Sequence, residues 1–138
     1  MMHKTCTCGH AMNMKLRTVI YSGKVEIDNV PIYSCPSCSR SEVLPEVKPD
    51  LTGLIGQLGE EPAKQTLLFN ELNEWADLLV EACSKRRTPD LTAVQQIIDE
   101  RIDSLLELLL LASSVGDEAW RLEIEKRLSQ LSRCTLNT

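Results

Sequence analysis

The chain has 138 residues, of which 43% are hydrophobic and 4% aromatic, and its formal net charge is −5. That length fits one ordinary domain or two small ones, and the hydrophobic fraction excludes global disorder. Residues 1–50 carry six Lys and Arg against five Asp and Glu, whereas residues 51–138 carry nine against fifteen. Because nucleic-acid binding depends largely on cationic contacts, this composition argues against a nucleic-acid partner.

Neither a secretion signal nor a membrane span is visible in the sequence. Met1 to Cys6 contains no apolar segment of the kind that begins a signal peptide. The longest purely apolar run, Leu108 to Ala112, is far shorter than the ~20 residues that cross a bilayer. We therefore expect a cytoplasmic protein with no membrane contact, and in reducing cytosol paired cysteines bind metal more often than they oxidise.

Four of the six cysteines form two close pairs, Cys6-Thr7-Cys8 and Cys35-Pro36-Ser37-Cys38. Two cysteine pairs separated by a β-hairpin are typical of a tetrahedral zinc site. The second pair has the spacing of a standard zinc knuckle, and the first is one residue shorter. Four thiolates leave no coordination position open, so we predict one structural Zn²⁺ per chain, bound by Cys6, Cys8, Cys35 and Cys38.

Two histidines near the short first pair leave the ligand set open. His3 and Cys6 have the separation of a normal pair, and His10 follows Cys8 by two residues. Imidazole is a common zinc ligand, so either histidine is an alternative to Cys6 or Cys8. The simpler interpretation is a solvated histidine in a flexible N-terminal segment.

A β-hairpin is predicted between the cysteine pairs. Apolar and polar residues alternate from Met12 to Tyr21, as in a half-buried strand, and Ser22-Gly23 predicts a tight turn. Folding about this turn places three pairs opposite each other: Ile20 and Val25, Thr18 and Ile27, Arg17 and Asp28. Pro31 predicts that the next segment, Val30 to Tyr33, is an edge strand or a bulge. A module of residues 1–48 is too small to fold without a metal.

Residues 49–61 form a connector rich in Pro and Gly. Within it, residues 50–58 predict a short, weak helix with an apolar stripe of Leu51, Leu54, Ile55 and Leu58.

Residues 62–134 predict an antiparallel bundle of three helices, because the connections between them are short. The first helix is predicted from Pro62 to about Arg87, with Leu68, Leu72, Trp75, Leu79 and Ala82 inward. The second is predicted to begin at Thr88-Pro89-Asp90, as N-cap, N1 and N2, and to end near Ser114 before Gly116. The third is predicted from Asp117 to near Arg133, with Trp120, Ile124, Leu128 and Leu131 inward. The expected fold class is α+β, a small N-terminal zinc-bound β-hairpin module followed by this bundle.

The second helix is surrounded on all sides by six leucines, Leu105, Leu106, Leu108, Leu109, Leu110 and Leu111. A helix of that kind is buried on all sides, and two neighbouring helices do not suffice to cover it. We therefore expect a protein partner or a symmetric homodimer on this segment. The alternative is a monomer in which the Leu51–Leu58 stripe folds back over these leucines.

The remaining reactive residues have plain structural interpretations. Cys83 and Cys134 lie in predicted helices and are suitable small core residues. Lys85-Arg86-Arg87 lies at a predicted helix C-terminus, where positive charge compensates the helix dipole. No catalytic motif is present, and no histidine occurs after residue 10 to act as a base, so we do not expect an enzyme.

The segment from Val25 to Cys38 resembles the YgiT-type zinc-finger family, the zinc module of MqsA-like antitoxins. The matching residues are Cys8-Gly9, Ile27-Asp28-Asn29-Val30-Pro31, Cys35 and Cys38. The resemblance covers about the first third of the chain. It implies that Cys8, Cys35 and Cys38 bind zinc, with Cys6 in the fourth role at a shifted spacing. It also implies a bacterial module that engages a partner protein in toxin–antitoxin loci.

MqsA-like antitoxins continue into a helix-turn-helix DNA-binding domain, whereas helices 62–134 are too long and too acidic for that motif. We therefore expect a non-enzymatic, zinc-binding interaction or regulatory protein of an antitoxin-like kind. The alternative is a zinc-dependent nucleic-acid-binding transcriptional regulator.

Overall fold

A computed structural model describes residues 4–83 and 89–135. The fold is mixed α+β, as expected. The strands are β1 (Lys4–Thr5), β2 (Ala11–Tyr21), β3 (Val25–Ser34), β4 (Ser41–Val43) and β5 (Gln65–Leu68). The helices are α1 (Lys48–Leu58), α2 (Glu74–Ala82), α3 (Leu91–Val115) and α4 (Glu118–Thr135). The alternative ligand His3, the basic run Lys85-Arg86-Arg87 and the side chain of Cys134 lie outside the described residues.

Strand β3 is the centre of the sheet. It pairs antiparallel with β2 along one edge. Along its other edge it pairs antiparallel with β4 near its end and in parallel with β5 near its start. Strand β1 pairs with the first residues of β2 and brings the N-terminal cysteines to the sheet.

The hairpin forms where the sequence predicts it, but the predicted register is wrong by one residue. Tyr21 lies opposite Val25, and the loop has three residues, Ser22 to Lys24. Ser22 and Gly23 both take positive φ, 56° and 68°. This register directs Val25 and Ile27 into the core, where both are fully buried.

A β-bulge shifts the β2–β3 register a second time, between Arg17 and Val19. Arg17 pairs with Val30 but Val19 pairs with Ile27, so β3 has one extra residue between these positions. Asn29 adopts φ 62°, a left-handed conformation that Asn tolerates well. Bulges increase the local twist of a strand. On the hairpin-loop side of the bulge at Asn29, Val19 and Tyr21 pack against the core. Ile20, which was predicted on the apolar face, is 63% exposed.

The predicted helix from Pro62 to Arg87 is wrong over its first part. Residues 65–68 form β5, and a single 3-10 turn at Phe69–Glu71 connects it to the short helix α2. The side chain of Asn73 accepts a hydrogen bond from the Ala76 N–H and so fixes the start of α2. Trp75, Leu79 and Ala82 are buried as predicted, but Leu68 and Leu72 are exposed.

The long helices agree closely with their predicted spans. Asp90 is the N-cap of α3, where its side chain accepts from the Thr92 N–H, so it is not the second helical residue that the sequence suggested. Gly116 ends α3 in the left-handed conformation. Asp117 then accepts from the Trp120 N–H at the start of α4.

Buried side chains from the sheet and the helices form one apolar cluster, which includes Val25, Ile27, Phe69, Trp75, Leu105 and Leu131. The connector helix α1 forms as predicted, with Leu51 buried and Leu54, Ile55 and Leu58 packed against the cluster. It does not cover the leucines of α3, because Leu106, Leu110 and Leu111 remain exposed. The four described helices, the connector helix α1 and the three that follow it, share a core with the sheet, and the antiparallel three-helix bundle stays a prediction. The division into residues 1–48, 49–61 and 62–134 stays a prediction.

None of the described helices is both long enough and apolar enough to cross a membrane.

Candidate metal centre

The two cysteine pairs meet at one end of the sheet. Cys6 directly follows β1, and Cys35 directly follows β3. Strand β2 lies between β1 and β3, with Met12 opposite Lys4 and Asn13 opposite Ser34. Antiparallel pairing therefore brings the two turns side by side, although Cys8 and Cys35 are 27 positions apart along the chain.

The two turns have the same hydrogen-bond pattern, offset by one residue. In the first, Gly9 N–H donates to the Cys6 carbonyl at 2.9 Å, and Cys6 N–H donates to the His10 carbonyl at 2.8 Å. In the second, Ser39 N–H donates to the Cys35 carbonyl at 3.2 Å, and Cys35 N–H donates to the Arg40 carbonyl at 2.7 Å. The first turn is thus a knuckle shortened by one residue, which reconciles the shorter Cys6–Cys8 spacing with a shared site.

Positive φ angles make both turns possible. Gly9 has φ 96° and Ser39 has φ 62°. Glycine adopts this conformation without steric cost, so Gly9 after Cys8 was a readable signal in the sequence. Ser39 gave no such signal, because serine rarely takes this conformation.

All four sulfurs lie within 4.8 Å of one another. Cys6 Sγ is 3.5 Å from Cys38 Sγ, and Cys8 Sγ is 3.5 Å from Cys35 Sγ. A disulfide requires about 2.05 Å, so the four are free thiols. A tetrahedral zinc ion with Zn–S bonds of about 2.3 Å separates its sulfurs by about 3.8 Å, which lies within the observed spread. The four cysteines are therefore positioned to bind one metal ion.

Backbone N–H groups point at the sulfurs and favour their thiolate form. The Cys8 N–H is the main cause that lowers the pKa of Cys6 to about 6. The N–H groups of Cys38 and Ser37 likewise lower the pKa of Cys35. The His10 N–H lowers the pKa of Cys8, but the Cys35 sulfur and partial loss of solvation around the thiol outweigh it and raise that pKa to about 11. Crowded thiolates repel one another, and a central cation compensates that repulsion.

Each close sulfur pair joins one buried and one exposed cysteine. Cys6 and Cys35 are buried, whereas Cys8 and Cys38 face solvent. The cluster is therefore partly buried and partly open to solvent. Structural zinc sites with four cysteine ligands need no wider access, because no substrate binds to the metal.

Residues around the cluster connect the two turns to each other and to the sheet. Arg40 Nη1 donates to Thr7 Oγ1 at 2.8 Å and so joins the second turn to the first. Lys4 in β1 forms an ion pair with Glu42 in β4, and its ammonium group lies 6.0 Å from the centre of the Tyr33 ring. Nothing in the sequence pattern pointed to Arg40, Thr7 or Glu42, because these contacts cross between turns and strands.

The structure brings together all four cysteines that the sequence singled out. His10 lies beside them, with Nδ1 3.6 Å from Cys8 Sγ, but it is outside the group of mutually close donors. Cys83 is half-buried at the C-terminus of α2 and takes no part in the cluster. The cysteine ligand set is thus favoured over the His10 alternative.

Comparison with protein-family models, characterised proteins and solved structures finds no significant match to this chain.

Proposed function

We propose that this chain is a zinc-stabilised, non-enzymatic protein-interaction module. The convergence of four cysteine sulfurs within 4.8 Å carries the proposal. An all-sulfur donor set favours zinc over magnesium or calcium, which prefer oxygen ligands. Four thiolates complete a tetrahedral shell, so the ion stabilises the fold and has no open position for a substrate.

The role of the metal follows from where its ligands lie. Cys6 and Cys8 belong to a short N-terminal segment that contacts the sheet through the two residues of β1. Cys35 and Cys38 flank the turn that connects β3 to β4. One ion bound by both pairs would fix β1 and β4 to the central hairpin. Such a contribution is large, since apparent zinc-binding energies in finger peptides are about 10–16 kcal/mol.

A regulatory, antitoxin-like role is supported by the resemblance of residues 25–38 to the YgiT-type zinc-finger family. The exposed leucines of α3 support a protein partner, because adjacent large apolar side chains on a surface mark interaction sites. The excess of carboxylates in residues 51–138 makes nucleic acid the poorer partner.

Elemental analysis of the full-length protein, purified without added metal, tests the metal assignment. We expect one zinc per chain and little iron. Stoichiometric iron, or a chain without metal that is equally stable, would contradict it. A gel-shift titration across salt concentrations tests whether the partner is a protein or a nucleic acid. Salt-sensitive binding of DNA at physiological ionic strength would overturn the assignment of a protein partner.

A further inference from the structure

One ridge of α3 has an unusual composition. We call Asp99, Asp103, Leu106 and Leu110 the acidic–leucine ridge; all four are exposed and follow one another at helical spacings of four, three and four residues. Its first half is charged, and its second half is apolar, with Leu110 73% exposed. The opposite face of the helix, through Val94, Ile98, Leu105 and Ala112, is buried in the core.

The carboxylates of the ridge have no cation among the described residues. Asp99 accepts only a neutral hydrogen bond, from Gln95 Nε2 at 3.1 Å, and Asp103 has no ion pair within that part of the chain. The single basic residue of α3, Arg101, points to α2, where it contacts Asp77 at 2.7 Å and Glu81 at 2.5 Å. By contrast, Arg121 on α4 pairs with both Glu118 and Glu125.

A second copy of this chain is a poor occupant of the ridge. An antiparallel pair centred between Leu106 and Leu110 would match these leucines with each other. It would also place Asp103 near Ser113 and Asp99 near Asp117, and α3 would supply no free cation to either. Like charges opposed across an interface weaken association, so self-association leaves the carboxylates uncompensated.

We propose that the acidic–leucine ridge binds a basic amphipathic helix of a partner protein, with Leu106 and Leu110 against its apolar face and Asp99 and Asp103 against its Lys or Arg side chains. Helices commonly bind in this way, through apolar anchors spaced three or four residues apart. Charge complementarity then sets the orientation and the partner choice. This inference rests on the proposed interaction function and specifies the chemistry of the partner.

The test uses the full-length, zinc-loaded protein and two labelled synthetic peptides of about 18 residues, or five helical turns. Both have leucines at the same helical spacing, and their polar positions are lysine in one and glutamate in the other. Fluorescence anisotropy should show at least tenfold tighter binding of the lysine peptide, weakening as NaCl rises from about 50 to 300 mM. A lysine–leucine peptide of scrambled order should bind at least about tenfold more weakly.

Variants locate the binding site. Leu110→Glu should reduce binding of the lysine peptide at least tenfold. Leu122→Glu is the matched control, because Leu122 is 54% exposed on α4 and lies outside the ridge, and it should leave the affinity unchanged. Asp103→Lys should shift the preference toward the glutamate peptide. Circular dichroism checks that each variant is folded.

Three results would overturn the inference. The first is equal affinity for the two ordered peptides. The second is an equal loss of binding in Leu110→Glu and Leu122→Glu, which would indicate non-specific attraction. The third is a dimer in sedimentation that Leu110→Glu dissociates, because a second copy would then occupy the ridge. None of these affects the metal analysis, so failure of this inference is distinguishable from failure of the zinc assignment.

Discussion

The carboxylate of Glu74 connects three helices. It lies in the first turn of α2, and its side chain is only 9% exposed. Arg127 of α4 binds it in a bidentate manner, at 3.0 and 3.1 Å, and Arg101 of α3 approaches at 3.4 Å. The backbone N–H of Glu74 donates to the buried Gln130 side chain at 2.8 Å. This residue therefore fixes how α2, α3 and α4 pack.

Replacing Glu74 by alanine should lower the free energy of unfolding by about 2 kcal/mol, because two half-buried guanidinium groups lose their shared anion. This loss is smaller than the loss caused by breaking a fully buried ion pair, because the Arg127 side chain is 40% exposed. Urea unfolding measures the change. Glu118→Ala removes an exposed carboxylate that also pairs with an arginine, and we expect no measurable effect. Equal effects of the two substitutions would contradict the structural role of Glu74.

The four cysteines differ in exposure but should be equally necessary for metal binding. Substituting serine for Cys35 or for Cys8 removes one thiolate from the tetrahedral set and should reduce bound zinc well below one per chain. Cys83→Ser is the matched control, because Cys83 lies outside the cluster. Metal content measured after gel filtration gives the answer. A Cys8→Ser variant that retains a full equivalent of zinc would indicate that His10 or His3 is a ligand.

At the level of elements, local signals predicted the two long helices well and the sheet and α2 less well. The cap residues Asp90, Gly116 and Asp117 act through contacts within a few residues, so both ends of α3 and the start of α4 were readable from the sequence, although Asp90 is the N-cap and not the second helical residue. The hairpin register was not readable from the sequence, because Lys24 belongs to the loop and the bulge at Asn29 adds a residue to β3. Strand β5 was taken for helix, since Leu68 and Leu72 also fit a helical period; its pairing with Val25 to Asp28 is a contact distant in sequence.

Two glycines provide a matched pair for the helix ends. Gly116 has φ 74° at the end of α3, so Gly116→Ala should destabilise the protein by about 1 kcal/mol. Gly53 lies inside α1, where an added Cβ would meet no atom within 4 Å. Gly53→Ala should therefore stabilise by about 0.5–1 kcal/mol. Thermal unfolding measures the change in stability of each variant. A change of the same sign in both would contradict either the left-handed conformation of Gly116 or the helical conformation of Gly53.

At the scale of the whole molecule, the sheet and the helices contribute to one apolar core among the residues that the structure describes. The convergence of the four cysteines was predictable, because close cysteine pairs separated by a hairpin are typical of a metal site. The shared core was not predictable, because it depends on the turn at Phe69–Glu71 and helix α2 packing against β3, which lies much earlier in the sequence. The exposed leucines of α3 were visible as an excess of apolar residues, but the sequence did not say which of them remain uncovered.

Because the core is shared, removal of the metal should affect the helices as well as the sheet. We expect chelation of the full-length protein to lower the melting temperature by at least about 10 °C. The far-ultraviolet circular dichroism and the fluorescence of Trp75 and Trp120 should then change in one common transition. Helices that keep their original melting temperature after chelation would show that residues 62–134 fold independently.

The parallel pairing of β5 with β3 has a consequence for the order of folding. The β2–β3 hairpin closes a loop of three residues, whereas β5 must return across the whole segment from Ser34 to Lys64. Closing a longer loop costs more entropy, and parallel strands pair slowly. The hairpin and its cysteines should therefore assemble first, so that the ion is captured before β5 arrives. Pulsed hydrogen exchange during refolding should show amides of β2 protected before those of β5, and simultaneous protection would contradict this order.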